Sequence, residues 1–215
     1  MDKYAVITAD IIGSRKHTNI TEKLNPNLKL LNKNFNSALL TEFELFRGDE
    51  IQAICNNLLY LPKIIRHVRY YCRPFKLRIG IGIGPIENFE YKSITSSWSM
   101  NGIAFHLARD SMDVLDKLRT KNKNAYRREQ PSTYIITKNQ SFDLSVNTIY
   151  MLIDAIVNNW KDTQWEAVML YELYGTYEMA ADHLGISYSA LHQRCISANW
   201  NVIREAEKNM VKLMQ

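Results

Sequence analysis

The stretch FELFRGDEIQAI, residues 43–54, constrains this chain more than any other. Two apolar-rich arms, 43–46 and 51–54, flank Arg47, Gly48, Asp49 and Glu50, and a glycine in that place supplies the positive φ that a tight reversal needs. The pattern predicts a β-hairpin with acid at its tip. Turns take Asp and Gly for conformational reasons alone, so Asp49 becomes informative only beside a second acid. Asp10 supplies it, closing the apolar run Tyr4-Ala5-Val6-Ile7-Thr8-Ala9, which is long and apolar enough for a central strand buried on both faces. Two carboxylates held side by side at the end of buried strands are costly unless a cation neutralises them. Asp10 and Asp49 are therefore the candidate metal ligands.

With 215 residues the chain can bury a full core, and two domains are expected, 1–140 and 141–215. Cys55, Cys72 and Cys195 lie far apart with no pairing or metal-ligand spacing, and no charged-then-apolar leader precedes the first strand. Reducing cytoplasm is the expected compartment. No apolar run approaches the roughly 20 residues that span a bilayer, so membrane function is not expected. The five histidines show no ligand spacing, and no zinc site is expected. The net charge of +5 suits an anionic partner but is uneven. Lys117, Arg119, Lys121, Lys123, Arg127 and Arg128 crowd a basic linker at 117–131, whereas acids outnumber bases after Lys161.

Beyond the first strand, Gly13 and Ser14 read as a turn into a helix. Its amides could meet an anionic oxygen with Arg15 assisting, or Ser14 could simply cap the helix beside a solvated arginine. Residues 17–27 are polar, include Pro26 and read as loop, and Leu28, Leu31, Phe35 and Leu39 then recur at helical spacing. A second helix follows through Leu61, Ile64, Ile65, Val68 and Cys72, with Pro62 in its first turn. Lys63, Arg66, Arg69 and Arg73 mark its outer face, read as solvated surface, with a nucleic-acid or nucleotide patch as the alternative. Residues 75–85 form a strand with glycine at alternating positions, so a helix or a ligand approaches its backbone closely. Residues 97–119 predict a helix buried through Ala104, Leu107, Ala108, Leu115 and Leu118, residues 132–137 an edge strand, and residues 144–160 a helix joining the two domains.

The last third predicts helices at 165–174 and 177–184, a break at Gly185, and a third helix capped by Ser187 and running to Ala198. TYEMAADHLGISYSALHQRC resembles the helix-turn-helix of bacterial regulators, similar to sigma-factor region four, through Ala181, Gly185 and Leu191 at the small, turn and core positions. That resemblance implies DNA binding, with Ser187, Tyr188, Ser189, His192 and Gln193 facing bases and Arg194 near phosphate. The acids Asp162, Glu166, Glu172, Glu178, Asp182, Glu205 and Glu207 favour instead a trihelical protein-binding module.

Asp10 within ADIIGS, Asp49 within RGDEIQAI and the strand LRIGIGIGPI follow the order and approximate spacing of class III nucleotidyl cyclase catalytic domains, and RGDEI is also similar to the hairpin of diguanylate cyclases. The chain as a whole resembles the SatD family of bacterial proteins. The cyclase resemblance implies an α+β fold: a ferredoxin-like palm sheet with helices, followed by the all-α helix-turn-helix domain. It implies that Asp10 and Asp49 hold Mg²⁺ or Mn²⁺ bridging the phosphates of a nucleoside triphosphate, near Ile11, Ile12, Gly13, Ser14 and Arg15. It also raises a homodimer, since cyclase-like domains pair. Active cyclases carry a later Asp-x-x-Asn-x-x-x-Arg element. With Arg109 matched to that arginine as the candidate catalytic residue, Phe105 stands at the asparagine position and Gly102 near the acidic one. The expected function is a nucleotide-responsive DNA-binding regulator. The alternatives are a divergent cyclase or nucleotidyltransferase and a non-catalytic protein scaffold.

Overall fold

The computed structural model of this chain describes residues 3–46, 48–87, 96–121 and 131–215, without the side chains of residues 120 and 121. Arg47 and the linker bases Lys123, Arg127 and Arg128 lie outside the described residues, as does the side chain of Lys121. The chain is α+β. In order come β1 (Tyr4–Ile11), α1 (Ile20–Phe35), β2 (Leu39–Phe46), β3 (Glu50–Cys55), α2 (Leu61–Tyr71), β4 (Leu77–Gly84), α3 (Ile103–Lys121) and β5 (Thr133–Ile136). They build one mixed sheet of order β2-β3-β1-β4-β5, antiparallel throughout except that β5 runs parallel to β4. β1 is central because a strand apolar on both faces is hidden only when layers cover both. Ala5, Ile7, Ala9 and Ile11 face α1 and α2, while Tyr4 and Val6 meet Ala104, Phe105 and Ala108 of α3. The hairpin forms as predicted, with Gly48 at φ +88° in its turn.

The loop expected at 17–27 is instead the start of α1, which begins at Ile20 and keeps Pro26 inside it. Leu24 and Leu28 extend the buried stripe of Leu31 and Phe35. Burying two leucines contributes about 1.5–3 kcal/mol each, which outweighs the roughly 3 kcal/mol cost of an interior proline. Leu39, expected on this helix, opens β2. The helix expected from Ser97 starts at Ile103, because Ser97–Ser99 form a separate 3-10 turn.

The alternating glycines of β4 resolve in favour of a helix. Ile79, Ile81 and Ile83 point into the α1/α2 layer. On the other face, a Cβ at Gly80 would stand 2.5 Å from Ser111 Oγ and 2.9 Å from the Ala108 carbonyl oxygen, and one at Gly82 would overlap Ala104 O and Ala108 N. The glycines let α3 lie directly on the strand.

The remaining helices are α4 (Gln140–Val157), α5 (Asp162–Tyr174), α6 (Tyr177–Leu184), α7 (Tyr188–Ser197) and α8 (Trp200–Leu213). Of these, α8 has no counterpart among the expected helices. The apolar core runs without interruption from β1 and α2 into Tyr150, Ile153, Trp165, Trp200 and Met210, across the boundary expected at 140.

The outer face of α2 is not a solvated surface. Its basic residues, three or four apart and so on one side of the helix, meet acids of the helical half. Arg66 is 4% exposed. Its Nη1 stands 2.7 Å from Glu172 Oε2 on α5 and its Nε 2.8 Å from Glu207 Oε1 on α8. Lys63 adds a 3.0 Å contact to Glu172. Arg69 pairs with the buried Asp154 of α4, whose other oxygen accepts from the backbone amides of Ser132 and Thr133 at 2.6 and 2.7 Å. Arg73 reaches Asp162 at 2.7 Å. Three of the acids that make the last third negative are therefore neutralised within the molecule.

His67 sits in the same seam, with Nε2 3.1 Å from Glu172 Oε2 and a buried Nδ1 that has no partner among the described residues. Burial lowers its pKa, and the nearby Arg66 and Lys63 reinforce the effect against Glu172. The folded chain thus keeps His67 neutral, while the unfolded chain binds a proton near pH 6.5, so stability is lost as pH falls through that value. Burial pushes Glu172 up, but the His67 hydrogen bond and the Arg66 guanidinium more than reverse it and hold the carboxyl well below the usual range. Its contribution is lost only on further acidification, below about pH 4.3. Burial raises Glu207, whose ionised form is favoured by Arg66. It binds its proton first in the folded state and opposes both losses. The melting temperature is expected to fall between pH 7 and pH 5, and His67→Gln, which keeps a donor toward Glu172 but cannot titrate, should flatten that slope. Equal slopes in the two proteins would remove His67 as the cause.

Candidate functional site

β1 and β3 are paired so that Thr8 opposes Gln52 and Asp10 opposes Glu50. All four line one cleft of about 340 Å³ on the α3 face of the sheet, and Asp49, at the hairpin turn, reaches the same space. The sequence therefore brings Asp10 and Asp49 together, as the hairpin pattern predicts, and adds a third acid, Glu50. Trp98, Phe105, Arg109 and Met112 close the other side.

Directly opposed carboxylates repel, and β4 answers this on the far side of β1. Arg78, the register partner of Asp10, grips both of its carboxylate oxygens and also pairs with Asp116. Burial alone would lower the Arg78 pKa, but Asp10 and Asp116 more than reverse it. A cation entering the cleft meets an Asp10 that already has an arginine. Among the described residues no three His, Cys, Asp or Glu side chains stand together as a metal cage.

The strand-to-turn segment behaves differently from its expectation. The Ile11 amide donates to Asp49 O at 3.2 Å and the Ile12 amide to Lys76 O at 2.8 Å. Gly13 is left-handed at φ +75°, and Ser14–Lys16 form a single 3-10 turn. None of Ile11, Ile12, Gly13, Ser14 and Arg15 lines the cleft. Arg109 does, from an exposed position on α3.

Sequence reasoning missed the roof. Trp98 stacks on Phe46 with centroids 4.5 Å apart and planes at 24°. Ser97 Oγ and Trp98 Nε1 are buried with no partner among the described residues. A serine and a tryptophan in a short turn carry no periodic signal, so only tertiary placement reveals them.

The second candidate surface lies on α6 and α7. Thr176 and Ser187 cap these helices through Met179 N and Ala190 N, and Gly185 between them is left-handed at φ +63°. Ala181 and Leu191 are buried. Tyr188, Ser189 and Gln193 are exposed, whereas His192 and Arg194 are half-buried. The His192 ring stacks on Tyr188 and meets Tyr177 edge-on at 4.9 Å.

The three thiols, Cys55, Cys72 and Cys195, are free and buried. Burial pushes Cys55 and Cys72 up to about 12 and Cys195 up to about 11, which leaves them protonated at neutral pH. No described helix is long and apolar enough to cross a membrane.

No curated protein matches this chain. Among solved structures, the regulator of polyketide synthase expression from Bifidobacterium adolescentis aligns over 100% of this chain and 87% of that one, at 10% identity and a TM-score of 0.29. A similarity of that degree says nothing about activity. The family comparison is of another order, because the model of the SatD family matches residues 4–214, nearly the whole length from β1 to the end of α8. This chain belongs to the SatD family.

Proposed function

We propose that this protein is a cytoplasmic, nucleotide-responsive DNA-binding regulator, with a cyclase-like palm in residues 1–140 and a helix-turn-helix unit in residues 141–215. The observation that carries the reading is the single cleft lined by Asp10, Asp49 and Glu50 at one end and by Trp98, Phe105 and Arg109 at the other. The path β1-α1-β2-β3-α2-β4 with strand order β2-β3-β1-β4 is the split βαβ arrangement of ferredoxin-like folds and supports the palm. Asp49 at the turn and the acids beside it disfavour a bare phosphate chain, so a nucleotide enters with divalent cations. A Mg²⁺ or Mn²⁺ that arrives on the phosphates needs few protein oxygens. Asp49 and Asp10 fit that role, with Asp10 exchanging part of its Arg78 pairing for the metal. The ion would screen the phosphates from the acids. The Ser97 hydroxyl and Trp98 indole N–H, without a partner among the described residues, are suited to the base or sugar.

Binding is favoured over turnover. Phe105, at the position where active cyclases place asparagine, belongs to the apolar core beneath α3, and Gly102 is a backbone turn at φ +139°. On the helical side, the left-handed Gly185, the buried Ala181 and Leu191 and the exposed Tyr188, Ser189 and Gln193 support α7 as the base-reading helix. With Glu172, Glu207 and Asp162 neutralised by α2, less negative charge opposes DNA than the composition suggests.

The test is calorimetric titration of the full chain with ATP and with GTP, with and without Mg²⁺, followed by gel shift on genomic fragments at low salt. Binding of one nucleotide is expected with Mg²⁺ and lost with EDTA. Asp49→Asn should weaken it by about tenfold or more, the loss of a charged ligand contact of roughly 1.4 kcal/mol. The nucleotide should change the DNA shift in wild type and not in Asp49→Asn. Equal affinity in EDTA would refute the metal role, and no shift on any fragment would refute the regulator.

A further inference from the structure

We propose that the groove where α2, α5 and α8 meet is a second ligand site, for a small organic oxyanion: a phosphate or carboxylate carried on an aromatic or similarly flat apolar group. The groove measures about 430 Å³, large enough for such a molecule, and lies on the opposite side of the sheet from the acidic cleft. The proposal does not depend on nucleotide binding there.

Its charge is the first argument. Lys63, Arg66, Arg204 and Lys208 line the groove together with Glu172 and Glu207. Arg66 and Lys63 satisfy both acids, so those four charges cancel. Arg204 and Lys208 remain. Arg204 has no carboxylate within ion-pair distance among the described residues. Its Nη1 stands 3.5 Å from the Tyr171 hydroxyl, the limit of a hydrogen bond, and its Nε is buried with no hydrogen-bond partner among the described residues. A guanidinium N–H withheld from water and from any acceptor is what an incoming oxyanion satisfies, and the fork of donors matches a carboxylate or phosphate. Lys208 is held only by Glu205 at 3.1 Å, in a pair more than half exposed on both sides, and is free to turn inward at little cost.

The apolar lining is the second argument. Trp200 is among the lining residues, with the Arg66 guanidinium 4.7 Å above its ring. Leu59 and Tyr60, 42% and 44% exposed, stand at the groove's edge. These are large apolar groups left in water beside an unsatisfied cation, which suits a ligand with one charged end and one flat end. A ligand here touches α2 and the α5 terminus at Gly175 together, so its occupancy bears on the packing of the sheet against the helices that carry α6 and α7.

Calorimetric titration of the full chain with phenyl phosphate, benzoate and inorganic phosphate tests this. Phenyl phosphate or benzoate should bind one per chain at about 1 mM or tighter, about tenfold more tightly than inorganic phosphate, and about tenfold more weakly in Arg204→Gln. Should Arg204→Gln fail to fold by circular dichroism, Lys208→Glu replaces it, since that side chain is solvent-facing, and a similar loss is expected. Absence of saturable heat with both aromatic anions up to about 10 mM, equal affinity for inorganic phosphate, or affinity unchanged by either substitution would each overturn the site.

Discussion

Gly82→Ala is expected to cost the chain about 3–5 kcal/mol, at the upper end of single-residue effects, and to lower its melting temperature by about 10 °C. The new methyl would occupy space held by Ala104 O and Ala108 N, and its third neighbour is the Leu107 carbonyl carbon at 2.8 Å. All three are backbone atoms of a helix fixed by its own hydrogen bonds, so no side chain can rotate away. Either α3 lifts from β4, breaking the layer that covers Tyr4 and Val6, or the strand bends. The control is two residues along. At Gly84 the same methyl would meet Ile103 Cγ2 at 3.4 Å and Leu107 Cδ1 at 3.7 Å, ordinary contact. Gly84→Ala should therefore stay within about 1 kcal/mol of wild type, since alanine also restricts the unfolded chain. Thermal denaturation followed by circular dichroism compares the two. If both variants melt together, helix approach is not what the glycines serve.

Arg66→Ala is expected to be comparably damaging, about 3–5 kcal/mol, for an electrostatic reason. The substitution leaves Glu172 and the largely buried Glu207 facing each other without the guanidinium that holds both. It also uncovers the Trp200 ring. The cost belongs to stranded charge rather than to the value of the bridges, because replacing a whole buried ion cluster with apolar groups is often neutral. The triple variant Arg66→Met, Glu172→Gln, Glu207→Leu should accordingly recover most of the stability lost by Arg66→Ala in urea denaturation. A triple variant as unstable as the single one would show that the ionic contacts themselves hold the seam.

Much of the architecture is legible in the residues. Strict alternation and apolar runs specify β1, the hairpin and β4, and the break at Gly185 with the cap at Ser187 specifies where α6 ends and α7 begins to within a residue. Two misreadings share a cause, because local chemistry was overruled by what lay across the fold. Polar residues and Pro26 suggested a loop, but Leu24 found a sheet to cover. Lys63, Arg66, Arg69 and Arg73 read as a wet face, and nothing near them in sequence reveals acids more than 80 residues away. The glycines of β4 announced a close neighbour without saying which. At the cleft, Asp10 and Asp49 follow from strand ends, whereas Arg78 as the partner of Asp10 follows only from register.

The double use of α2 bears on how such a chain can change over generations. With Ile64, Ile65 and Val68 committed to the sheet layer and Arg66, Arg69 and Arg73 to the helices beyond, it works as a keel with no idle side. A helical half borrowed from another protein would have to bring acids matching those arginines, two of them for Arg66. The two halves are thus bound to be inherited as a pair.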